Sequence, residues 1–106
     1  MTGTQQRFEM LIGMHITDEA GYQRYRQHMT PILESMGGFF RYDMRVSELL
    51  RGEAEEPFNR LFILSFPDEP TRDRFFSDDR YQAVRQEHFT GSVSSYTLIA
   101  QYHTRT

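Results

Sequence analysis

The chain has 106 residues, 38% hydrophobic and 14% aromatic, enough apolar material for one folded domain over residues 1–106 and too much for a disordered segment. Fifteen acidic residues against twelve basic ones leave a net charge of −3, and such a surface repels a phosphate backbone, so nucleic acid is not an expected partner. All twelve basic residues are arginine and there is no cysteine, which excludes a lysine Schiff base, thiol chemistry, thiolate metal sites and disulfides.

Residues Phe8 to Ile16 alternate, with Phe8, Met10, Ile12, Met14 and Ile16 on one face and Glu9, Leu11, Gly13 and His15 on the other. A period of two over nine residues predicts a strand. Thr17 or Asp18 can cap the helix that comes next, with Glu19 favourable in its first turn. Tyr22, Tyr25, Met29, Ile32, Leu33 and Met36 then recur three and four apart, one apolar stripe on a helix. Pro31 removes one helical hydrogen bond and predicts a bend. Gly37-Gly38 predicts the stop, one glycine taking the left-handed conformation.

A second strand is expected from Phe39 to Glu48, with Phe40, Tyr42, Met44 and Val46 on one side and Phe39, Arg41, Asp43, Arg45 and Ser47 on the other. Arg51 to Pro57 is polar and reads as a connection between antiparallel strands. Asn59 to Phe66 is apolar on both faces, as a doubly covered central strand requires. Pro67 to Pro70 turns the chain into a second helical region anchored by Phe75, Phe76, Tyr81 and Val84, with Ser77 as a second cap where the helix divides. Gly91 closes it. Ser95 to His103 predicts a fourth strand with Tyr96, Leu98, Ala100 and Tyr102 on one face.

The order β-α-β-β-α-β with right-handed crossovers gives an α+β fold, the ferredoxin-like split βαβ sandwich, with antiparallel sheet order 4-1-3-2. Both helices then cover one side. The other side carries Leu11, Phe39 and Ile99 among charged residues, which predicts a sheet-to-sheet homodimer burying about 800 Å² per partner. No apolar run approaches 18 residues and the segment MTGTQQRFEM lacks a hydrophobic leader core, so no membrane association is expected and the cytoplasm is the expected location.

The run Tyr22-x-x-Tyr25, then Pro31-Ile32-Leu33, then Gly37-Gly38 before an aromatic strand resembles the domain-of-unknown-function 1330 family. Phe66-Pro67-Asp68-Glu69, Phe75-Phe76-Ser77-Asp78 and Arg80-Tyr81-Gln82-Ala83 are similar to its second signature. The resemblance spans Tyr22 to about His88. It implies a dimeric α+β barrel, a superfamily shared with small cofactor-free monooxygenases, isomerases and haem-degrading enzymes, without selecting among them. Two positions depart from the family pattern. An arginine is common a few residues after the glycine pair, where Asp43 stands between Arg41 and Arg45, and another is common where His88 stands.

Several residues are candidates for chemistry. Arg41, Asp43 and Arg45, at alternate positions of one strand, read either as an ion-paired rim of the dimer seam or as an anion-binding patch. His15 is the candidate general base, its ordinary pKa lying near neutrality. His15 and His103 fall at opposite ends of neighbouring strands, ~20 Å apart at 3.4 Å per residue, and His28 on the first helix and His88 on the second have no carboxylate or second His at ligand spacing, so no metal site is expected. Tyr25 and Tyr81, with Tyr22, Phe75 and Phe76, gather where helices meet sheet; they read first as core, and a cleft there would also suit a flat organic molecule. His88 is a further ligand-binding candidate.

Two functions are compatible with these features. One is a small-molecule enzyme or enzyme-like binder working without a bound cofactor, as a monooxygenase or isomerase, with a mainly apolar cavity between helices and sheet. The other is a non-catalytic homodimer that binds a metabolite or a protein, with a filled interior and a groove lined by Arg41, Asp43 and Arg45.

Overall fold

The apolar alternation of the first strand is realised in full. In the computed structural model, which describes residues 6–105, Phe8, Met10, Ile12, Met14 and Ile16 of β1 (Phe8–Ile16) are all buried beneath the helices. Residues 1–5 and 106 lie outside the described part, and with them half of the segment MTGTQQRFEM and its expected lack of a leader core. The next elements are α1 (Glu19–Ser35), β2 (Phe39–Arg45), β3 (Arg60–Phe66), α2 (Glu69–Ser77), α3 (Asp79–Val84), a π-helical turn (Arg85–Phe89) and β4 (Val93–His103).

The four strands form one sheet in the order β2-β3-β1-β4, the expected 4-1-3-2 arrangement read from the other edge, and each neighbouring pair is antiparallel. The helices lie on one face. Tyr22, Tyr25, Met29 and Leu33 of α1 and Phe75 and Tyr81 of α2 and α3 pack onto Phe62, Leu64 and Phe66 of β3 and the inward residues of β1. Among the described residues no helix covers the opposite face; Phe58, from the β2–β3 connection, lies across Gly13.

Local chemistry sets the element ends. The Asp18 carboxylate accepts from the Gly21 amide at 3.1 Å to start α1, and the helix runs through Pro31 to Ser35. Gly37 takes φ +81°, with its amide donating to the Glu34 carbonyl and that of Gly38 to the Leu33 carbonyl, both at 3.0 Å. Those two hydrogen bonds close the helix in the expected left-handed stop. The second helical region divides as expected, but the cap is Asp78, not Ser77. Its carboxylate accepts from the Arg80 and Tyr81 amides, at 2.8 and 3.3 Å, while the Ser77 hydroxyl donates back to the Asp73 carbonyl. A charged acceptor able to serve two amides wins over one hydroxyl.

The edge strands depart from simple alternation. In β2, Phe40 stands opposite Leu64 and Tyr42 opposite Ile63, so Arg41 is an extra residue. In β4, Ala100 stands opposite Leu11 and Leu98 opposite Ile12, so Ile99 is extra. Each bulge reverses the facing of the residues beyond it. Arg41 and Tyr42 both lie on the helix-free face, whereas Asp43 and Arg45 pass to the helical face opposite Phe62 and Arg60. The expected shared face of Arg41, Asp43 and Arg45 is thereby corrected. So is that of Tyr96, Leu98, Ala100 and Tyr102: the first two lie on the helical face, the last two on the other.

Candidate functional site

The methionines and tyrosines that pattern as core do not close up completely. A cavity of about 400 Å³ remains between the helical face of the sheet and the helices. Its floor is Met10, Ile12 and Met14 of β1 with Phe62 and Leu64 of β3. Tyr22, Tyr25 and Met29 of α1 form one wall, and Phe76, Tyr81, Arg85 and Phe89 the other. Phe40 and Arg72 also border it, and Tyr96, Leu98 and Gln101 of β4 complete the lining and are themselves exposed, so the cavity opens along that edge strand. A volume in this range, mainly apolar with few polar groups, matches small-molecule sites.

Those polar groups converge. The hydroxyls of Tyr25 and Tyr81 are hydrogen-bonded at 2.8 Å. Burial pushes the Tyr25 hydroxyl well above its ordinary range, and the neighbouring Tyr81 adds to the shift. Burial likewise pushes Tyr81 up, opposed by Tyr25 and by the positive charge of Arg85. Both phenols are therefore neutral near pH 7. Each carries one proton, and the bond between them uses one, so the pair retains one O–H to offer to an occupant of the cavity.

Arg85 reaches the cavity through the π turn. The Thr90 amide donates to the Arg85 carbonyl at 3.2 Å, one residue further along than in an α-helix. Arg85 and Phe89, four residues apart, face the same way, the guanidinium 4.9 Å from the Phe89 ring centroid. Among the described residues no carboxylate lies within 4.0 Å of the Arg85 guanidinium. Arg72, the other cation on the lining, is bonded to Asp73 at 2.7 Å, to Glu69 at 3.5 Å and to Gln101.

Of the residues singled out from sequence, Tyr25 and Tyr81 meet in this cavity. His88 does not enter it: its ring stacks on His28 at 5.0 Å and 7° between planes. His15 lies on the helix-free face, its Nδ1–H donating to the Pro57 carbonyl at 2.8 Å and its Nε2 3.9 Å from Glu56. Arg41 pairs with Glu9 on that same face, where Glu9 is only 2% exposed and also accepts from the Tyr102 hydroxyl at 3.0 Å. Asp43 sits on the other side, 2.9 Å from Arg26 and 3.4 Å from Arg60, whose guanidiniums stack over Phe40 and Tyr22 respectively. Among the described residues Arg45 pairs only with Glu19, at 3.9 Å. No three His, Asp or Glu side chains converge among the described residues as a metal would require. Nor is any described helix long and apolar enough to cross a membrane.

Arg85, Phe89 and the methionine floor were missed as site residues. Arg85 lies four residues beyond Tyr81, so helical spacing already placed it on the tyrosine's face. The methionines carried no signal separating a cavity wall from a filled core.

Fold and cavity together define a ferredoxin-like α+β protein with an apolar chamber on the helical side of its sheet. The chain belongs to the family described as Domain of unknown function (DUF1330), whose model matches residues 10–102. Among solved structures it is similar to RPA0582, a protein of unknown function from Rhodopseudomonas palustris, at 18% identity, covering 92% of this chain and 82% of that one with a TM-score of 0.77. A DABB family protein with a ferredoxin-like fold from Mesorhizobium loti matches at 12% identity, 94% and 96% coverage and a TM-score of 0.60. A protein from Nitrosomonas europaea, provisionally described as an antibiotic biosynthesis monooxygenase, matches at 8% identity, 100% and 92% coverage and a TM-score of 0.57. At such identities the likeness is one of fold. No curated protein matches the chain.

Proposed function

We propose that the protein binds a small, largely apolar organic molecule in the cavity between sheet and helices, as a small-molecule enzyme or enzyme-like binder that works without a bound cofactor. The cavity itself carries this reading: about 400 Å³ lined mainly by Met, Phe, Leu and Ile, with the hydrogen-bonded Tyr25 and Tyr81 in its wall. The non-catalytic alternative expected a filled interior and a groove lined by Arg41, Asp43 and Arg45, and those three residues lie on two different faces.

In such a chamber the free tyrosine proton can be donated to a substrate oxygen, while an electron-rich ring lies against the apolar floor. The monooxygenase form of the reading adds direct reaction of that ring with oxygen, in keeping with the provisional description of the Nitrosomonas europaea structure. Incubation with a panel of phenols and quinols, monitored with an oxygen electrode, tests it. Consumption that depends on the protein supports the oxygenase; flat traces with binding retained leave a binder or isomerase.

The helix-free face is assigned to a second copy of the chain. Phe39, Tyr42, Met44 and Ile99 are exposed there around the buried Glu9, an arrangement suited to covering by a like surface.

A further inference from the structure

We propose that the cavity selects molecules bearing a single anionic oxygen group, an aryl or arylalkyl carboxylate, with the carboxylate held between the Arg85 guanidinium and the free hydroxyl proton of the Tyr25–Tyr81 pair. The inference rests on the reading of the cavity as the binding site and adds the class of ligand.

The electrostatics of the lining lead to it. Seventeen residues line the cavity and two of them, Arg72 and Arg85, are cations; none is an anion. Arg72 is held by Glu69 and Asp73, so its charge is met by the protein. Among the described residues Arg85 has aromatic neighbours facing it, the Phe89 ring and the tyrosine pair, and no counter-ion. Arg85 is half-buried, so water meets its charge while the cavity is empty; a ligand displaces that water, and an anion replaces it as a partner for the guanidinium where a neutral molecule does not. Hydrogen bonding points the same way. The guanidinium has only donors, and the neutral tyrosine pair has one donor left, so this end of the chamber is completed by a group that is acceptor-only. An ionised carboxylate is such a group, and it can take two guanidinium protons side by side. The rest of the ligand meets Met10, Met14, Met29 and Phe62, which favours a ring system over a sugar or a short polar acid.

The test compares two fluorescent probes of nearly equal shape, 2-naphthylacetate and 2-(2-naphthyl)ethanol, titrated into the full chain at neutral pH. The carboxylate is expected to bind at least about tenfold more tightly than the alcohol. Arg85→Met is expected to bring the ratio to about one by weakening the carboxylate alone, and Arg85→Lys to keep part of the preference. Equal binding of both probes by the wild type, or a preference unchanged in Arg85→Met, overturns the anion assignment while leaving the cavity as a binding site. Absence of binding by either probe into the millimolar range overturns the reading of the cavity and this inference with it. Should Arg85→Met fail to fold, the wild-type ratio with Arg85→Lys decides the question.

Discussion

The Tyr25 hydroxyl lies 2.8 Å from the Tyr81 hydroxyl, across 56 residues of sequence, so one hydrogen bond ties α1 to α3 at the wall of a chamber. A buried polar contact in an apolar lining serves two ends at once. It satisfies both phenols when no ligand is bound, and it leaves one proton to give when an acceptor enters.

The two tyrosines should therefore behave as a unit. Tyr25→Phe or Tyr81→Phe is expected to cost about 1 kcal/mol of stability, because the surviving hydroxyl loses its partner. The double variant should cost little more than either single one, giving a coupling energy of about 0.5–1.5 kcal/mol in a double-mutant cycle. Either single variant still has a free O–H, so carboxylate affinity should fall markedly only in the double. Urea denaturation of the four proteins and the naphthylacetate titration measure both.

Gly13 should tolerate no side chain while Phe58 is present. A Cβ built there meets Phe58 Cδ2 at 2.5 Å, so Gly13→Ala forces the ring off the sheet, at about 1–3 kcal/mol. In a Phe58→Ala background the same substitution should be nearly neutral. Thermal melts of the four combinations check this; an equal cost in both backgrounds would place the strain elsewhere.

Glu9 gives stability a dependence on acid. Burial alone would raise its pKa, but hydrogen bonds from Arg41, Ser65 and Tyr102 outweigh it and hold the carboxyl below its ordinary 4.5. A carboxylate depressed in the folded state contributes stability fully present above the unfolded value and lost as pH falls through the lower folded value. The wild type should therefore exceed Glu9→Gln in stability by about 1–3 kcal/mol above pH 5.5, a gap that narrows from about pH 4.5 downward. Denaturant titrations at a series of pH values read it directly.

The helix-free face should hold two copies together. Tyr42 is 59% exposed there, next to Met44 and Phe39. Sedimentation at micromolar concentration is expected to give a particle twice the chain mass for the wild type and a monomer for Tyr42→Asp, with the fold retained by far-UV circular dichroism.

Much of this architecture is legible in the residues, and the exceptions have physical causes. The β1 alternation, the α1 stripe and the Gly37 stop come from one-dimensional periodicity and from the steric freedom of glycine, and the sheet order follows from the order of the elements with right-handed crossovers. The bulges at Arg41 and Ile99 do not. A bulge changes which residue faces the core without changing the alternation along the strand, since Phe-Phe-Arg-Tyr-Asp-Met-Arg reads the same with or without it. On the helical face Asp43 meets Arg26 and Arg60, tertiary partners with no local sign in the strand. Tyr25 and Tyr81 were legible as neighbours because both lie on apolar helix faces. The face of Arg85 was equally legible, four residues beyond Tyr81, but nothing in the spacing separates an arginine that lines a cavity from one on a solvated helix face.

Occupation of the chamber by a ligand is the central requirement, and the methionine methyl groups report it most directly. Met10, Met14 and Met29 line the chamber, whereas Met36 does not and Met44 lies on the far face of the sheet. In the full chain labelled with ¹³C at methionine methyls, 2-naphthylacetate should shift the signals of Met10, Met14 and Met29 saturably and leave Met36 and Met44 in place. Unmoved signals for the three lining methionines, or a saturable shift of Met44 alone, would contradict it.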